Sequence, residues 1–238
     1  MKIVAIIPAR KGSKGIKNKN IMIYKKKPLL FHSINSALKL KKIDKVLVST
    51  DSKEYKSLSE KYGAEVILRP KKISQDNSLE KEFLVHAYNY LKKEKKYTVD
   101  LFILLRPTCP DRNINDLNEA LDIAIKNFKY YTSLRSVHPL HNPAQKNFQI
   151  NGKYLTGFFN KSLKGEYHSF PRQIYPRAYS PNSFFDALKP KYFMKYKSKK
   201  KVWGNKIFPI ITKSRSHLSN IFFATSSFPF SKTINILS

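Results

Sequence analysis

The first half of the chain alternates between two hydrophobic periods, and this alternation predicts an α/β fold. Residues 2–7 form a nearly continuous β-branched run, which is typical of a strand buried on both faces. Residues 28–40 begin with proline and place apolar side chains on one helical face. Further strands are predicted over 45–50, 65–68 and 100–105, and further helices over 53–62, 79–94 and 114–127. This order predicts a mainly parallel sheet covered by helices on both faces.

Beyond about residue 136 the pattern changes, because repeated prolines interrupt any long helix. Within residues 146–157, an Asn151-Gly152 pair separates two short segments of alternating hydrophobicity, which predicts a β-hairpin. This part of the chain therefore predicts loops and a small antiparallel unit.

The domain boundaries follow from the same pattern. The hydrophobic segment 206–212 predicts a strand that returns to the main sheet. We expect one domain over residues 1–212, with an insertion at about 137–200 and an atypical tail over 213–238. No uninterrupted apolar stretch is long enough for a bilayer, so the sequence predicts neither a transmembrane segment nor a secretory leader.

The chain carries 46 lysines and arginines against 16 aspartates and glutamates, a formal net charge of +30. Nucleic acid is one explanation, because basic side chains neutralise phosphates. The lysines, however, are dispersed in small groups and form no ribbon interleaved with aromatic residues. Biased composition, or a field that attracts small anionic substrates, explains the charge equally well. The single cysteine, Cys109, excludes an internal disulfide and suits a reducing cytoplasm.

The most informative motif is a basic, glycine-containing loop directly after the first predicted strand. Parallel sheets bind ligands at the carboxyl ends of their strands, so this loop emerges where a site is expected. Gly12 permits close backbone approach, and Ser13 with the loop amides can donate to phosphate oxygens. Arg10 and Lys14 add positive charge. The loop predicts a phosphate site, with a solvated basic turn as the alternative, and it is not a P-loop because GxxxxGK[ST] is absent.

Five collinear motifs resemble the acylneuraminate (CMP-sialic acid) cytidylyltransferase family, which includes enzymes for legionaminic and related nine-carbon acids. Residues 8–20 match every specified position of its P-A-R-x-G-S-K-G-[IL]-x-x-K-N pattern. The other matches are Ser49-Thr50-Asp51-Ser52, Arg69-Pro70 followed by Ser78, Leu105-Arg106-Pro107-Thr108-Cys109-Pro110, and Arg172-Gln173 with Pro176, Tyr179 and Asn182. The resemblance spans residues 1 to about 212.

The resemblance implies a Rossmann-like, three-layer α/β nucleotidyltransferase that forms a homodimer through its small inserted region. It implies transfer of CMP from CTP to a nine-carbon 2-keto sugar acid, release of pyrophosphate, and use of Mg²⁺. Arg10 and Lys14 are the implied catalytic residues, because attack on the α-phosphorus needs a neutralised triphosphate. The implied nucleotide-binding residues are Arg10, Gly12, Ser13, Lys14, Asn20, Arg69, Ser78 and Arg106. The implied sugar-binding residues are Arg172, Gln173, Tyr179 and Asn182.

Several of these positions have purely structural explanations as well. Asp51 either contributes to the nucleotide site or caps the helix that begins near Lys53. Thr108 and Pro110 either line the site or cap the helix that starts near Arg112. The six histidines show no metal-ligand spacing, so none is assigned to a metal.

The sequence departs from the family most clearly after residue 212. Family members carry an Asp-x-Asp pair there that holds Mg²⁺, whereas this chain has no aspartate or glutamate after Asp186. Asp51, or phosphates and water alone, must then hold any metal. The abrupt change in composition resembles the product of a reading-frame shift. A smaller departure is Ser183, which replaces the family's glycine after Asn182 and is expected to tighten the turn or narrow the sugar pocket.

Three hypotheses follow from the sequence. The first is a cytoplasmic cytidylyltransferase of the CMP-nonulosonate synthetase type that serves surface glycan synthesis. The second is a non-catalytic homologue that binds nucleotide or sugar acid but has lost its metal site. The third, which the dispersed lysines do not favour, is a basic nucleic-acid-binding protein. The sequence does not identify which nonulosonic acid is used.

Overall fold

A seven-stranded sheet organises the chain in its computed structural model, which describes residues 1–12 and 16–212. The strands are β1 (Ile3–Pro8), β2 (Ile23–Tyr24), β3 (Lys27–Pro28), β4 (Lys45–Thr50), β5 (Glu65–Leu68), β6 (Leu101–Leu104), β7 (Ser133–Pro139), β8 (Phe148–Asn151), β9 (Tyr154–Gly157), β10 (Tyr179–Leu188) and β11 (Ile207–Ile211). The helices are α1 (Leu29–Leu38), α2 (Lys53–Lys61), α3 (Glu80–Lys93), α4 (Ile114–Lys126) and α5 (Pro190–Lys195).

The main sheet has the strand order β11-β7-β10-β6-β1-β4-β5, and β10 is its antiparallel member. The chain moves outward from β1 to β4 and β5, and then returns to β6 on the other side of β1. Loops that leave β1 and β6 therefore diverge at the carboxyl ends of these two strands. Such a topological switch opens a crevice in which parallel sheets bind ligands.

The two faces of β1 contribute to two separate hydrophobic cores. Ile3, Ala5 and Ile7 pack with α1, α2 and α4, whereas Val4 and Ile6 pack with α3 and α5. All five side chains are almost fully buried. This two-sided burial explains why the strand is a continuous apolar run with no polar alternation.

The sequence prediction is confirmed for the first 136 residues. Every strand and helix predicted there is present, with boundaries that differ by at most two residues. The hairpin predicted around Asn151-Gly152 is formed by β8 and β9, and the predicted returning strand is β11 at the sheet edge. In the part of the chain that the structure describes, none of the helices combines the length and hydrophobicity that a bilayer span requires.

The predicted insertion at about 137–200 is shorter than expected. Strand β10 falls inside that range, yet it is an interior strand of the main sheet between β6 and β7. The prolines of β10 interrupt the hydrophobic pattern from which a strand would have been predicted. Pro181 lies where the register with β7 shifts. A proline is tolerated at such a bulge because no ladder hydrogen bond is lost there. The segment that lies outside the main sheet is therefore about 140–178.

The helix caps settle two of the open alternatives. The Ser52 hydroxyl, not Asp51, accepts a hydrogen bond from the Tyr55 amide and caps α2. Asn113, rather than Thr108 or Pro110, caps α4. Asp51 and Thr108 are thus available for other contacts.

The bulge in β10 gives a test of local backbone strain. Ser183 has a φ of +59°, a left-handed conformation that an L side chain adopts at a cost of roughly 1–2 kcal/mol. We predict that Ser183→Gly raises the free energy of unfolding by about 0.5 kcal/mol, because removal of the Cβ strain exceeds the added chain entropy of glycine. Urea denaturation measures this change. Ser180→Gly, in regular β10 backbone, should instead destabilise, and destabilisation by both variants would contradict the prediction.

Candidate functional site

A cleft of about 490 Å³ opens at the carboxyl ends of the central strands. Its lining includes Arg10 after β1, Arg69 after β5, and Arg106 with Thr108 after β6. Glu80, on the first turn of α3, lies on the same cleft. The cleft therefore occupies the crevice that the strand order creates.

The loop after β1 is fixed to the neighbouring strand end. The Ala9 amide donates to Ser49 O at 2.9 Å, and the Lys11 amide donates to Asp51 Oδ1 at 2.8 Å. The buried Asn20 side chain donates from Nδ2 to Arg10 O at 2.9 Å. Three hydrogen bonds thus hold the start of the predicted phosphate loop.

The loop predictions have different outcomes. Ser13 and Lys14 lie outside the described residues. Gly12 is described, and a Cβ at that position would meet no atom within 4 Å, so the described contacts give no steric reason for glycine there. Arg10 lies on the cleft, and its Nη1 forms an ion pair with Asp76 Oδ1 at 2.8 Å.

Arg69 is a buried cation oriented by backbone and side-chain oxygens. Its Nε donates to Ser49 Oγ at 2.7 Å and its Nη2 to Ser49 O at 2.9 Å. The guanidinium also lies 4.6 Å from the centre of the Phe83 ring. Burial lowers the pKa of Arg69 to about 10, so the group remains charged at neutral pH. The sequence indicated Arg69, but not that Ser49 orients it.

Arg106 is held between two carboxylates. Its Nη1 pairs with Asp186 and its Nη2 with Glu80. Burial acts to lower the pKa of Arg106, but the two carboxylates outweigh this effect and raise it. Sequence reasoning missed both acids as site residues. The signal for Asp186 was present, since a single acid inside the apolar run of β10 needs a buried partner.

Arg112 connects the Arg106 loop to the bulge of β10. It is buried, and its Nη2 donates to Arg106 O at 2.8 Å and to Ser183 O at 3.1 Å. Its Nε donates to Phe184 O at 2.8 Å. The left-handed turn at Ser183 therefore directs carbonyl oxygens at Arg112, and Arg112 in turn holds the main chain of Arg106, which lines the cleft.

Five of the residues implied to bind nucleotide line this one cleft: Arg10, Asn20, Arg69, Ser78 and Arg106. They come from three connections, between β1 and β2, between β5 and α3, and between β6 and α4, which the fold brings to one edge of the sheet. The Ser78 hydroxyl accepts a hydrogen bond from the Gln75 amide at 2.9 Å, which shapes the loop before α3. The cleft thus presents cations with hydroxyl and amide groups, a set that suits a polyphosphate.

The residues implied to bind sugar do not line the same cleft. Arg172 and Gln173 line a second cavity of about 540 Å³, together with His141 and Arg177. Tyr179 is 42% exposed and pairs with Pro139, which lines that cavity.

Asn182 lies in the sheet rather than in either cavity. It is fully buried, its Oδ1 accepts from Ser136 Oγ at 2.6 Å, and its Nδ2 donates to the Thr212 hydroxyl. These contacts join β10 to β7 and to the end of β11. Neither of these two cavities has Asn182 in its lining, and its hydrogen bonds give it a contact between strands, while its sugar-binding role stays a prediction.

The described carboxylates fit a Mg²⁺ site poorly. In residues 1–12 and 16–212, no three His, Cys, Asp or Glu side chains cluster as metal ligands. Asp51 accepts from the Lys11 amide and does not line the cleft, and Glu80, which does, is paired with Arg106. The positions at which the family carries its Asp pair, near 217–219, lie outside the described residues.

Comparison with known proteins shows which family this sequence matches. A family model described as cytidylyltransferase matches residues 4–147. The N-acylneuraminate cytidylyltransferase of Escherichia coli O18:K1:H7 is 36% identical over 175 residues, which are 70% of this chain and 40% of that protein. The CMP-N,N'-diacetyllegionaminic acid synthase of Legionella pneumophila is 36% identical over 126 residues, 52% of this chain and 53% of its own. The chain therefore spans about half or less of these relatives.

Solved structures show the same fold. A CMP:2-keto-3-deoxy-manno-octonic acid synthetase complexed with CTP has a TM-score of 0.62 at 17% identity and covers 89% of this chain and 91% of its own. A 4-diphosphocytidyl-2C-methyl-D-erythritol synthase from Anaerococcus prevotii has a TM-score of 0.58 at 15% identity, with coverage of 94% and 96%. These matches confirm the predicted Rossmann-like nucleotidyltransferase fold.

Proposed function

The chain belongs to the cytidylyltransferase family, and we propose that it transfers CMP from CTP to a nine-carbon 2-keto sugar acid with release of pyrophosphate. The observation that carries this proposal is the convergence of Arg10, Asn20, Arg69 and Arg106 on one cleft at the carboxyl edge of the sheet. The relatives named for sialic and legionaminic acids supply the substrate class. The product would serve surface glycan synthesis. The single cysteine favours the reducing cytoplasm as its location.

The proposed chemistry needs positioning and charge neutralisation more than covalent catalysis. The anomeric oxygen of the sugar acid attacks the α-phosphorus and loses its proton, while the bond between the α-phosphorus and the bridging oxygen breaks. The leaving pyrophosphate gains negative charge. Arg10, which lines the cleft, would stabilise that charge, and Arg69 offers a second, preorganised cation on the same cleft. The resemblance alone assigns the same role to Lys14.

The sugar acid would extend from the cleft toward the second cavity. Both β6 and β7 run antiparallel to β10, so they point the same way and end at the same edge of the sheet. Two strand spacings separate them laterally, roughly 10 Å. Arg172 and Gln173, which line the second cavity beyond the end of β7, are the groups that we propose to contact the acid. A planar arginine is a suitable partner for its carboxylate.

We also propose a homodimer, formed through the segment outside the main sheet. Its hairpin exposes large apolar side chains, including Ile150 at 79%, Tyr154 at 78% and Leu155 at 67%. Large exposed apolar side chains of this kind are typical of an interface. A second copy of the chain is the partner that would cover it.

A second candidate function is a homologue that binds nucleotide or sugar acid without turnover. The specific observation in its favour is the poor fit of the described carboxylates to a metal. Mg²⁺ is the cofactor that we propose, and the phosphates of CTP with water would hold it, because Asp51 does not line the cleft. Incubation with CTP, Mg²⁺ and a panel of nonulosonic acids, with pyrophosphate release as the readout, distinguishes the two candidates.

The phosphate loop gives the first functional prediction. Arg10→Ala, and equally Lys14→Ala, should weaken CTP binding or slow turnover by about 2 kcal/mol, the scale of a lost charge-assisted contact. Calorimetry and initial rates measure these effects, and thermal stability should barely change. Lys42→Ala removes one positive charge before β4, at the opposite edge of the sheet, and should change neither. Unchanged CTP affinity together with an unchanged rate would remove Arg10 from the site.

The second cavity gives a prediction that separates the substrates. Gln173→Ala should raise the KM for the sugar acid by about tenfold, the effect of one lost hydrogen bond to a charged group. CTP affinity should stay as in the unmodified chain, because Gln173 does not line the nucleotide cleft. Steady-state kinetics with each substrate varied in turn measures both values. An equal loss for both substrates would place Gln173 elsewhere.

The missing acids give a prediction about turnover. The unmodified chain should bind CTP but show weak or no Mg²⁺-dependent synthesis. The double variant His217→Asp with Ser219→Asp should raise turnover by orders of magnitude, because carboxylates are the preferred Mg²⁺ ligands. His217→Asn with Ser219→Asn is the matched uncharged control and should not. Robust synthesis by the unmodified chain would show that metal ligands lie elsewhere.

A further inference from the structure

The guanidinium of Arg106 contacts two acids that the proposed reaction does not use. Asp186 lies in the sheet with a side chain that is 1% exposed, whereas Glu80 lies on the cleft with a side chain that is 26% exposed. One carboxylate is thus enclosed by protein and the other is open to ligands. The two edges of one guanidinium therefore face different environments.

The environment of Asp186 holds it in place. Its Oδ2 pairs with Arg106, and its Oδ1 lies 3.8 Å from Arg135 Nε and has no hydrogen bond in the part of the chain that the structure describes. The Arg135 guanidinium is stacked on the Trp203 ring at 4.2 Å. Asp186 thus interacts with two cations, and withdrawal of either would leave this buried carboxylate with a single cationic partner.

The environment of Glu80 leaves it free to move. It belongs to the first turn of α3, and the end of that helix is stabilised separately by Glu82, whose side chain accepts from the Leu79 amide at 3.0 Å. A change of the Glu80 rotamer therefore costs the helix no cap. Arg10, which also lines the cleft, forms an ion pair with Asp76.

The charges of this cluster cancel when no ligand is bound. Arg106 and Arg135 carry two positive charges, and Asp186 and Glu80 carry two negative charges. Arg106 can therefore act on an anionic ligand only if Glu80 leaves, since Asp186 is enclosed. An oxyanion can take the vacated edge because a guanidinium binds carboxylate and phosphate oxygens alike.

We propose that Asp186 is a positioning residue that anchors Arg106, and that Glu80 is a displaceable counter-ion whose place on Arg106 a substrate oxyanion takes. The identity of the substrates rests on the proposed function, whereas the exchange itself rests on the ion-pair geometry. The oxyanion is either a phosphate of CTP or the carboxylate of the sugar acid. The cluster then makes the strength of anion binding depend on how readily Glu80 withdraws.

Calorimetric titration of Glu80→Gln tests the exchange. The probes are CTP, N-acetylneuraminic acid and inorganic pyrophosphate. Removal of the competing charge should tighten the probe that uses Arg106 by about threefold to tenfold, the scale of a partly exposed ion pair. The probe that gains identifies the oxyanion. Asp122→Asn removes the same charge from an exposed pair with Lys42 at the opposite edge and should leave all three affinities unchanged.

A double-mutant cycle separates exchange from a structural effect. In an Arg106→Gln background, Glu80→Gln should bring no gain, because the two residues act through one contact. A gain that persists there would overturn the proposal, as would unchanged or weaker binding of every probe by Glu80→Gln. Asp186→Asn should weaken the same probe by about tenfold, the effect of a lost hydrogen bond to a charged group. Unchanged binding by Asp186→Asn would overturn the anchoring role, and if that variant does not fold, the cycle alone decides.

The same titrations distinguish failure of the proposed function. If the unmodified chain binds neither CTP nor the sugar acid but binds pyrophosphate, the proposed function is wrong and the exchange is still tested by the pyrophosphate arm. If pyrophosphate also fails to bind, the cleft is not an oxyanion site and both proposals are overturned.

Discussion

Buried guanidinium groups at the carboxyl edge of the sheet set the conditions for the rest of this site. Arg69, Arg106 and Arg112 are all largely enclosed, and an enclosed cation is tolerated only when oxygens surround it. The three are compensated in different ways: Arg69 by the oxygens of Ser49, Arg112 mainly by main-chain carbonyls, and Arg106 by carboxylates. The loops that leave the strands are shaped by the need to supply those oxygens.

Because their charges are balanced by different groups, the three arginines differ in how much positive charge they offer to a ligand. A cation held by neutral oxygens keeps its full charge for a ligand, whereas a cation held by two carboxylates offers none until one of them leaves. Arg112 is buried and has a structural role, because its hydrogen bonds connect the loop after β6 to the bulge of β10. The site thus combines Arg69, held by neutral oxygens, with Arg106, whose charge is balanced by Glu80 and Asp186.

Local sequence was sufficient for most of the fold and for part of the cleft. Ile3 to Ile7 could only be a doubly buried strand, and the loop that follows it had to emerge at the ligand-binding edge. Strand β10 was not predictable in the same way. Pro181 and the turn at Ser183 interrupt its period, and its place in the sheet depends on pairing with β6 and β7, which are distant in sequence.

The sequence by itself determined the order of elements and the edge of the sheet from which the loop with Arg10 emerges, because both follow from local hydrophobic periods. The resemblance of its motifs to a known family indicated Asn20 and Arg69, and the structure places both on the cleft. Only the tertiary structure decided which acids meet Arg106 and where Asn182 lies. Glu80 and Asp186 are separated from Arg106 by 26 and 80 positions, and a local sequence pattern does not show which residues at such separations will be in contact. Electrostatic compensation acts through space, so the partners of a buried charge are fixed when strands and helices pack.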